Sequence, residues 1–515
     1  MDDKTLYQAL SRPQAYPHPV TDILYRETHI SQVFLTDQYA YKVKKARDLG
    51  FLDFSTLAQR KWFCEEELRL NRRFAPQLYL DVVSINRTAA GLQIDGAGEV
   101  VDYAVKMRRF DDDQLLSKLA ARGELTPGLV RGLARHLAEL QGTLPSCYPE
   151  RGAGTPVAFY TALEQSIELL ASYRSLPREA RDRLEQVGRW ARTRYADQAL
   201  LMKRRLREGR VKDGHGDLHL GNIVLIEGEP VLFDCIEFNA DFRINDSMAE
   251  LAFLSMDLGA RGLAAASQRV VNDYLEYSGD YSGAPLLDLF RCHYALVRAK
   301  VTLLRDPADA VGDDTWAETL RYLHLAEGYT RAVKPRLVLM HGVSGSGKST
   351  VAGQLADAMG AIRLRSDVER KRLAGLAPEA ASSGDIYTPA MGRATFDRLR
   401  ALADTLLAAG LPVIVDATFL RCRDRQRFAE LAVERRCALV IVACDAEPAE
   451  LERRISARRN DASEASIEVM HAQRTQREWP GADEADELFA LDVADRPALD
   501  ALLAAMARPS SPSSR

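Results

Sequence analysis

A chain of 515 residues is too long for one ordinary core, and with 46% hydrophobic and 28% charged side chains it has neither the bias of a disordered segment nor that of a fibre. A formal net charge of −4 excludes an overall basic footprint, so a nucleic-acid partner is not expected unless a local patch holds it. Seven scattered cysteines without a C-x-x-C pair exclude a thiolate-built metal site, and the polar start MDDKTLYQALSRPQ and the lack of a long apolar run point to a cytoplasmic protein without a membrane segment.

Residues 30–47 read as a hairpin: ISQVFLT, a turn at Asp37 and Gln38, then YAYKVKKA, whose Ala40, Lys42 and Lys44 share one face by the two-residue period. STLAQRKWFCEEELRLNRRFAP follows as a helix, with Ser55 as its cap, Phe63, Leu70 and Phe74 at helical spacing, and Pro76 beyond the end. Strand-like segments at 78–85 and 100–108 complete a small sheet lobe, and 113–205 is mostly helical with breaks at GELTPG and LPSCYPERGAGTP. From residue 334 the rhythm changes. RLVLM, AIRLR, PVIVDAT, CALVIVAC and ELFALDV alternate with amphipathic helices, the pattern of a parallel sheet covered by helices. The expected domains are therefore 1–333 and 334–505, with the Ser/Pro-rich 506–515 as a disordered tail.

Gly342, Val343, Ser344, Gly345, Ser346, Gly347, Lys348 and Ser349 satisfy G-x-x-x-x-G-K-[ST], directly after an apolar strand and before a helical stretch beginning at Thr350. In this pattern loop amides turn inward around an anion and the helix start adds partial positive charge. Lys348 reaches the outer phosphates and Ser349 ligates the metal, so ATP and Mg2+ are the expected cofactors. Ligands of such sheets sit at the carboxyl edge, where two acids stand. Asp367, in RLRSDVERKRLAG, suits the base that deprotonates an acceptor hydroxyl, with a helix cap as the alternative; Asp416, in VIVDATF, suits a Mg2+ or supporting role. LERRISARRNDASEAS sets Arg453, Arg454, Arg458 and Arg459 on adjacent turns, either as arginines that close over a transferring phosphoryl group, with Arg454 and Arg458 the candidates taken here, or as a solvated face.

Residues 336 to about 500 resemble a P-loop kinase of the gluconate-kinase and polynucleotide-kinase type, with SDVERKRLAG, VDATF and RRNDASEA in the expected order. That resemblance implies Lys348 and Ser349 on nucleotide and metal, Asp367 as base, and an arginine within 453–459 as the lid residue.

In HGDLHLGN, residues 215–222, the interval from Asp217 to Asn222 lets a loop present a carboxylate to a hydroxyl while an amide ligates a metal. Asp234 follows across the apolar IVLIEGEPVLF. Base, metal amide and second metal carboxylate across a short hairpin is the logic of protein-kinase-like phosphoryl transfer. Lys42 then stands where a lysine meets the α- and β-phosphates, and Glu67 faces inward from the following helix; Lys44 and Glu66 are the competing choices. YAVKMRRF leads into the adenine position near Met107, and His215 braces the loop.

Residues 25–330 resemble the aminoglycoside-phosphotransferase and choline-kinase group, in which HGD replaces the HRD of protein kinases. The resemblance implies Asp217 as base, Asn222 and Asp234 as Mg2+ ligands, and a small-molecule hydroxyl as acceptor. The hairpin THISQVFLTDQYAYK departs from protein kinases in having no G-x-G-x-x-G. The whole chain is similar to fused bacterial bifunctional aminoglycoside-phosphotransferase-like/ATP-binding proteins, which implies an α+β protein-kinase-like domain followed by an α/β P-loop domain with a parallel sheet. The leading expectation is a two-site kinase acting on alcohols. The alternatives are a nucleotide-binding regulator with a degenerate N-terminal site, and a nucleic-acid 5'-hydroxyl kinase in the C-terminal half.

Overall fold

The alternating runs around the first hairpin pair as their period requires. β1 (Leu24–Glu27), β2 (Ser31–Leu35), β3 (Tyr39–Lys44), β4 (Tyr79–Thr88), β5 (Gly91–Ile94) and β6 (Glu99–Arg108) form an antiparallel sheet in the order β1-β2-β3-β6-β4-β5. This computed structural model describes residues 3–48, 50, 52–307, 310–382, 385–457 and 462–507. Along β3, Tyr41 and Val43 enter an apolar core with Phe34, Val83 and Ile85, so Lys42 and Lys44 project from the opposite face. On that side Cys64, in the helix Leu57–Asn71, packs with Tyr79 and Val105.

That helix starts one residue later than the Ser55 cap expected. Thr56 accepts from the Gln59 amide while Gln59 accepts from the Thr56 amide, a reciprocal pair that Ser55, with Ala58 three residues on, cannot form. Short strands β7 (Val211–Asp213), β8 (Ile223–Ile226), β9 (Glu229–Leu232) and β10 (Ile244–Asp246) pair as two antiparallel ribbons, β8 with β9 and β7 with β10. All of these belong to one compact unit, made of Met1–Thr126, Thr143–Leu169 and Tyr195–Asp257.

The second unit comprises Pro127–Gly142, Leu170–Arg194 and Leu258–Arg515. Its strands β11 (Arg336–His341), β12 (Ile362–Arg365), β13 (Val413–Asp416), β14 (Ala438–Asp445) and β15 (Glu487–Asp492) run parallel in the order β12-β13-β11-β14-β15. Helices bury both faces of such a sheet, which explains why Val338, Met340, Ile414, Val440 and Val442 are all inaccessible. Because β11 is flanked by β13 and β14, its carboxyl end lies where the connections part, the place where ligands of these sheets bind.

The helix Ala264–Ser278 covers the free edge of β12. Gln268 Nε2 and Asn272 Nδ2 both donate to Ala361 O, at 2.9 and 3.0 Å, and Asn272 Oδ1 accepts from Arg363 N at 2.8 Å. One turn further, the buried Glu276 carboxylate meets Arg363 at 2.5 Å and Arg365 at 3.3 Å. Side chains at three successive turns thus replace a neighbouring strand, and residues 258–333, expected with the first domain, cluster with the parallel sheet. The last helix, Arg496–Ala507, buries Met506, so the fold passes the expected end at 505; residues 508–515 of the expected tail lie outside the described residues. Among the described residues no helix is long and apolar enough to cross a membrane.

Candidate active sites

In the first unit the β8–β9 register and a 3.0 Å bond from Phe233 N to Asn222 O set Asn222 beside Asp234. Asn222 Nδ2 donates to Asp217 O at 3.0 Å and to Asp217 Oδ2 at 3.1 Å, which leaves Oδ1 as the amide's oxygen donor for a cation. Asp234 holds a left-handed backbone, φ 63°, at a cost of about 1 kcal/mol for a non-glycine residue, and its amide donates to the Tyr79 hydroxyl at 3.0 Å.

Lys42 Nζ lies 2.5 Å from Asp234 Oδ1 and 2.8 Å from Glu67 Oε1. Lys44, on the same face, holds Glu67 Oε2 at 2.7 Å and also pairs with Glu237. Both lysines therefore meet Glu67, whereas Glu66 bonds Arg69 at 2.7 Å on the outer side of the helix. Burial opposes ionisation of Glu67, but Lys42 and Lys44 outweigh it and lower its carboxyl to about 2.

The loop carrying Asp217 is fixed from beneath. His215 Nε2–H donates to Phe233 O at 2.8 Å while Nδ1 accepts from Asp217 N at 3.3 Å, and burial lowers its pKa, so it braces the loop as neutral imidazole. Glu250 accepts from the amides of His215 and Gly216, and Asp257 from that of Leu220 at 3.0 Å. Gly216 has φ 83° and a Cβ there would lie 2.8 Å from Phe242 O, so only glycine fits. His219 Nδ1 accepts from Gly221 N at 3.0 Å, which puts the proton on Nε2, 3.4 Å from Asp217 Oδ2. The side chains of Asp217 and Asp234 stay 36% and 44% exposed, open to a ligand despite these restraints.

Met107 lines a shallow, largely apolar cleft with Leu35, Ala40, Phe110 and Phe233. The neighbouring amides of Arg108 and Arg109 are already paired, with Leu78 O and Gln38 O. Asn222 Oδ1 and the Asp234 carboxylate offer oxygen donors, which suits Mg2+, an ion that takes few protein ligands and completes its shell with phosphate oxygens and water. No cluster of three or more His, Cys, Asp or Glu is arranged for a metal among the described residues.

In the second unit β11 runs into the loop holding Gly342, Ser344, Gly345, Ser346 and Gly347, and the helix Lys348–Met359 opens behind it. Gly347 has φ 87°, and a Cβ there would come 2.8 Å from Val493 and 3.2 Å from Arg454 Nη1. Lys348 Nζ reaches Val343 O at 3.5 Å, Thr350 N closes the first helical turn on Gly347 O at 3.0 Å, and Ser349 Oγ donates to Asp416 Oδ1 at 3.1 Å. Asp416 is buried, with Arg365 Nε 3.8 Å from its other oxygen. Arg454 Nη1 and Ser346 Oγ are buried without a hydrogen-bond partner among the described residues, and an orphaned guanidinium nitrogen beside Gly347 fits an anionic phosphate.

Asp367 sits in the first turn of the helix Ser366–Leu373, whose N-cap residue is Arg365, so it is not the cap; its Oδ1 lies 2.5 Å from Arg370 Nη1. Arg453 and Arg454 share Glu450, at 2.7 and 2.6 Å. Arg458 and Arg459 lie outside the described residues.

The family described as "Phosphotransferase enzyme family" matches residues 56–287, and the one described as "AAA domain" matches 337–480. Uncharacterized proteins of Mycobacterium tuberculosis H37Rv and Mycobacterium bovis are each 31% identical over 467 residues, 88% of this chain and 91% of theirs. The chain belongs to this family of fused phosphotransferase and P-loop kinases. Among solved structures, the amicoumacin kinase hAmiN in complex with AMP-PNP, Ca2+ and Ami is 11% identical at TM-score 0.41, covering 64% of this chain and 94% of its own. A gluconokinase from Sinorhizobium meliloti is 22% identical at TM-score 0.24, covering 34% of this chain and 95% of its own.

Several residues of this fused kinase escaped the sequence reading. Glu237, three places after Asp234, stands between the apolar Ile236 and Phe238, a signal that could have marked it as buried. Glu250, Asp257 and Glu276 act through contacts across the fold and carry no local signal.

Proposed function

We propose that the chain transfers the γ-phosphoryl of ATP at two sites, each to a hydroxyl of a small molecule such as a sugar, sugar acid or amino alcohol. In the first, Asp217 takes the proton of the acceptor hydroxyl as its oxygen attacks the γ-phosphorus and ADP leaves. Asn222 steadies the Asp217 carboxylate, and Lys42, held by Glu67, meets the phosphates. In the second, loop amides and Lys348 cradle the phosphates, Arg454 meets their charge and Asp367 serves as base. Asn222 with Asp234, and Ser349 with Asp416, would hold Mg2+, which when bound supplies charge neutralisation on the phosphate oxygens.

The observation that carries this reading is the convergence of Lys42, Glu67, Asp217, Asn222 and Asp234 from four separate segments of one unit. A degenerate site has no need of that assembly. A metabolite panel offered to the full chain, its Asp217→Asn variant and its Lys348→Ala variant is the test. Each substitution is expected to abolish phosphorylation of one acceptor and spare the other. ATP-dependent phosphorylation of the same acceptors by the double variant at the wild-type rate would end the proposal.

A further inference from the structure

The helix Ile467–Gln476 is tied to the phosphate loop at two kinds of contact. Ile467 and Met470 join Val343, Leu451 and Ile455 in a small apolar cluster. One turn on, Gln473 Oε1 accepts from the backbone amide of Ser344 at 2.8 Å. Beyond the helix end, Arg477 pairs with Asp445, the last residue of β14, at 2.9 Å. Residues 467, 470, 473 and 477 follow helical spacing, so a single face of this segment looks onto the phosphate loop and the carboxyl edge of the sheet.

The peptide group that Gln473 grasps is the one that Lys348 uses. Val343 O and Ser344 N belong to the same planar unit, and in a trans peptide the carbonyl and the N–H point to opposite sides. Gln473 accepts on one side at 2.8 Å, and Lys348 Nζ approaches the carbonyl on the other at 3.5 Å. An acceptor on the N–H polarises the carbonyl and makes it the stronger partner for an ammonium group. Turning that peptide over would take the carbonyl away from Lys348 and present an N–H to it.

We infer that Gln473 is a positioning residue for Lys348: it fixes the 343–344 peptide, and so the place from which the lysine meets the outer phosphate of the nucleotide. This rests on the reading of the second unit as an ATP site.

The role separates from plain structural support by which phosphate feels the loss. In the full chain carrying Lys42→Met to silence the first site, calorimetry with ADP and with a non-hydrolysable ATP analogue is the readout. Gln473→Ala is expected to weaken the analogue about five- to tenfold, the worth of one hydrogen bond, and to change ADP less than twofold. Gln473→Glu, which keeps the acceptor oxygen, is expected to restore the wild-type preference. In a Lys348→Ala background Gln473→Ala is expected to add nothing, because it acts through that lysine. Equal losses for ADP and analogue, no loss at all, failure of the glutamate to rescue, or full additivity with Lys348→Ala would each overturn the inference. Wild-type binding of neither nucleotide to the second unit would instead remove the ATP-site reading beneath it.

Discussion

Lys42 Nζ stands 2.5 Å from Asp234 Oδ1, a contact between residues 192 positions apart. Lys44, one pleat along the same face, stays 1% exposed between Glu67 and Glu237. The two lysines therefore divide the work: Lys42 joins the open Asp234 to Glu67, and Lys44 pairs with the buried Glu237 as well as Glu67. Lys42→Met is expected to cut phosphoryl transfer at the first site at least about a hundredfold with a modest change in melting temperature. Lys44→Met leaves Glu237 without its cation, and breaking such a buried pair costs about 3–5 kcal/mol. Thermal denaturation beside activity checks this, and equal melting losses for the two variants would contradict the division.

Asn222 donates to Asp217 with its nitrogen and, in the proposed mechanism, offers its oxygen to Mg2+, so its removal should be felt in two measurements at once. Asn222→Ala is expected to raise the Mg2+ concentration for half-maximal activity by about tenfold or more and to lower the rate at saturating Mg2+. Asn222→Asp keeps an oxygen donor but sets a second carboxylate against Asp217 Oδ2, where the amide nitrogen is now 3.1 Å away. It should recover the metal dependence better than the rate. A rate loss with an unchanged Mg2+ titration would place Asn222 outside the metal site.

Local chemistry made the phosphate loop legible in the sequence. Its glycines, Lys348 and Ser349 occupy eight consecutive residues, and the Ser349 to Asp416 bond follows from two neighbouring parallel strand ends. The choice between Lys42 and Lys44 could not be settled that way, because a two-residue period places both on one face and the fold uses both. Glu66 and Glu67 differ by about 100° around a helix, so there periodicity does discriminate. The clamp of Gln268, Asn272 and Glu276 on β12 was illegible: it depends on which strand ends up at the sheet edge, and a helix with polar residues four apart reads as solvated.

Glu276 is the sole carboxylate within hydrogen-bonding distance of both Arg363 and Arg365 among the described residues. Glu276→Gln should destabilise the second unit by up to about 3 kcal/mol, since the buried guanidinium groups lose their nearest counter-charge and keep only Asp273, 3.9 Å from Arg363, and Asp416, 3.8 Å from Arg365. A fragment beginning at residue 334 lacks the whole helix and leaves β12 as an open edge, so it should aggregate, while the full chain should remain monodisperse. Circular dichroism and size-exclusion chromatography of fragment and full chain decide the matter. A soluble, cooperatively melting fragment from 334 would show the clamp to be dispensable.

His341, just before the phosphate loop, donates from Nδ1 to Phe419 O at 3.1 Å, and its Nε2 is buried with no hydrogen-bond partner among the described residues. Burial lowers its pKa from 6.5 to about 4. The folded protein therefore refuses a proton that the unfolded chain takes up as pH falls below about 6.5, so the loss of stability begins there and is complete near pH 4. The contribution at stake is up to about 3 kcal/mol. His341→Asn can keep a donor toward Phe419 O but does not titrate. Urea denaturation at pH 7, 5.5 and 4.5 should show the wild type losing stability faster than the variant across that interval. Subtracting the variant cancels the shared contributions of His215 and the carboxylates. Parallel pH profiles for the two proteins would mean that the His341 ring accepts its proton in the fold.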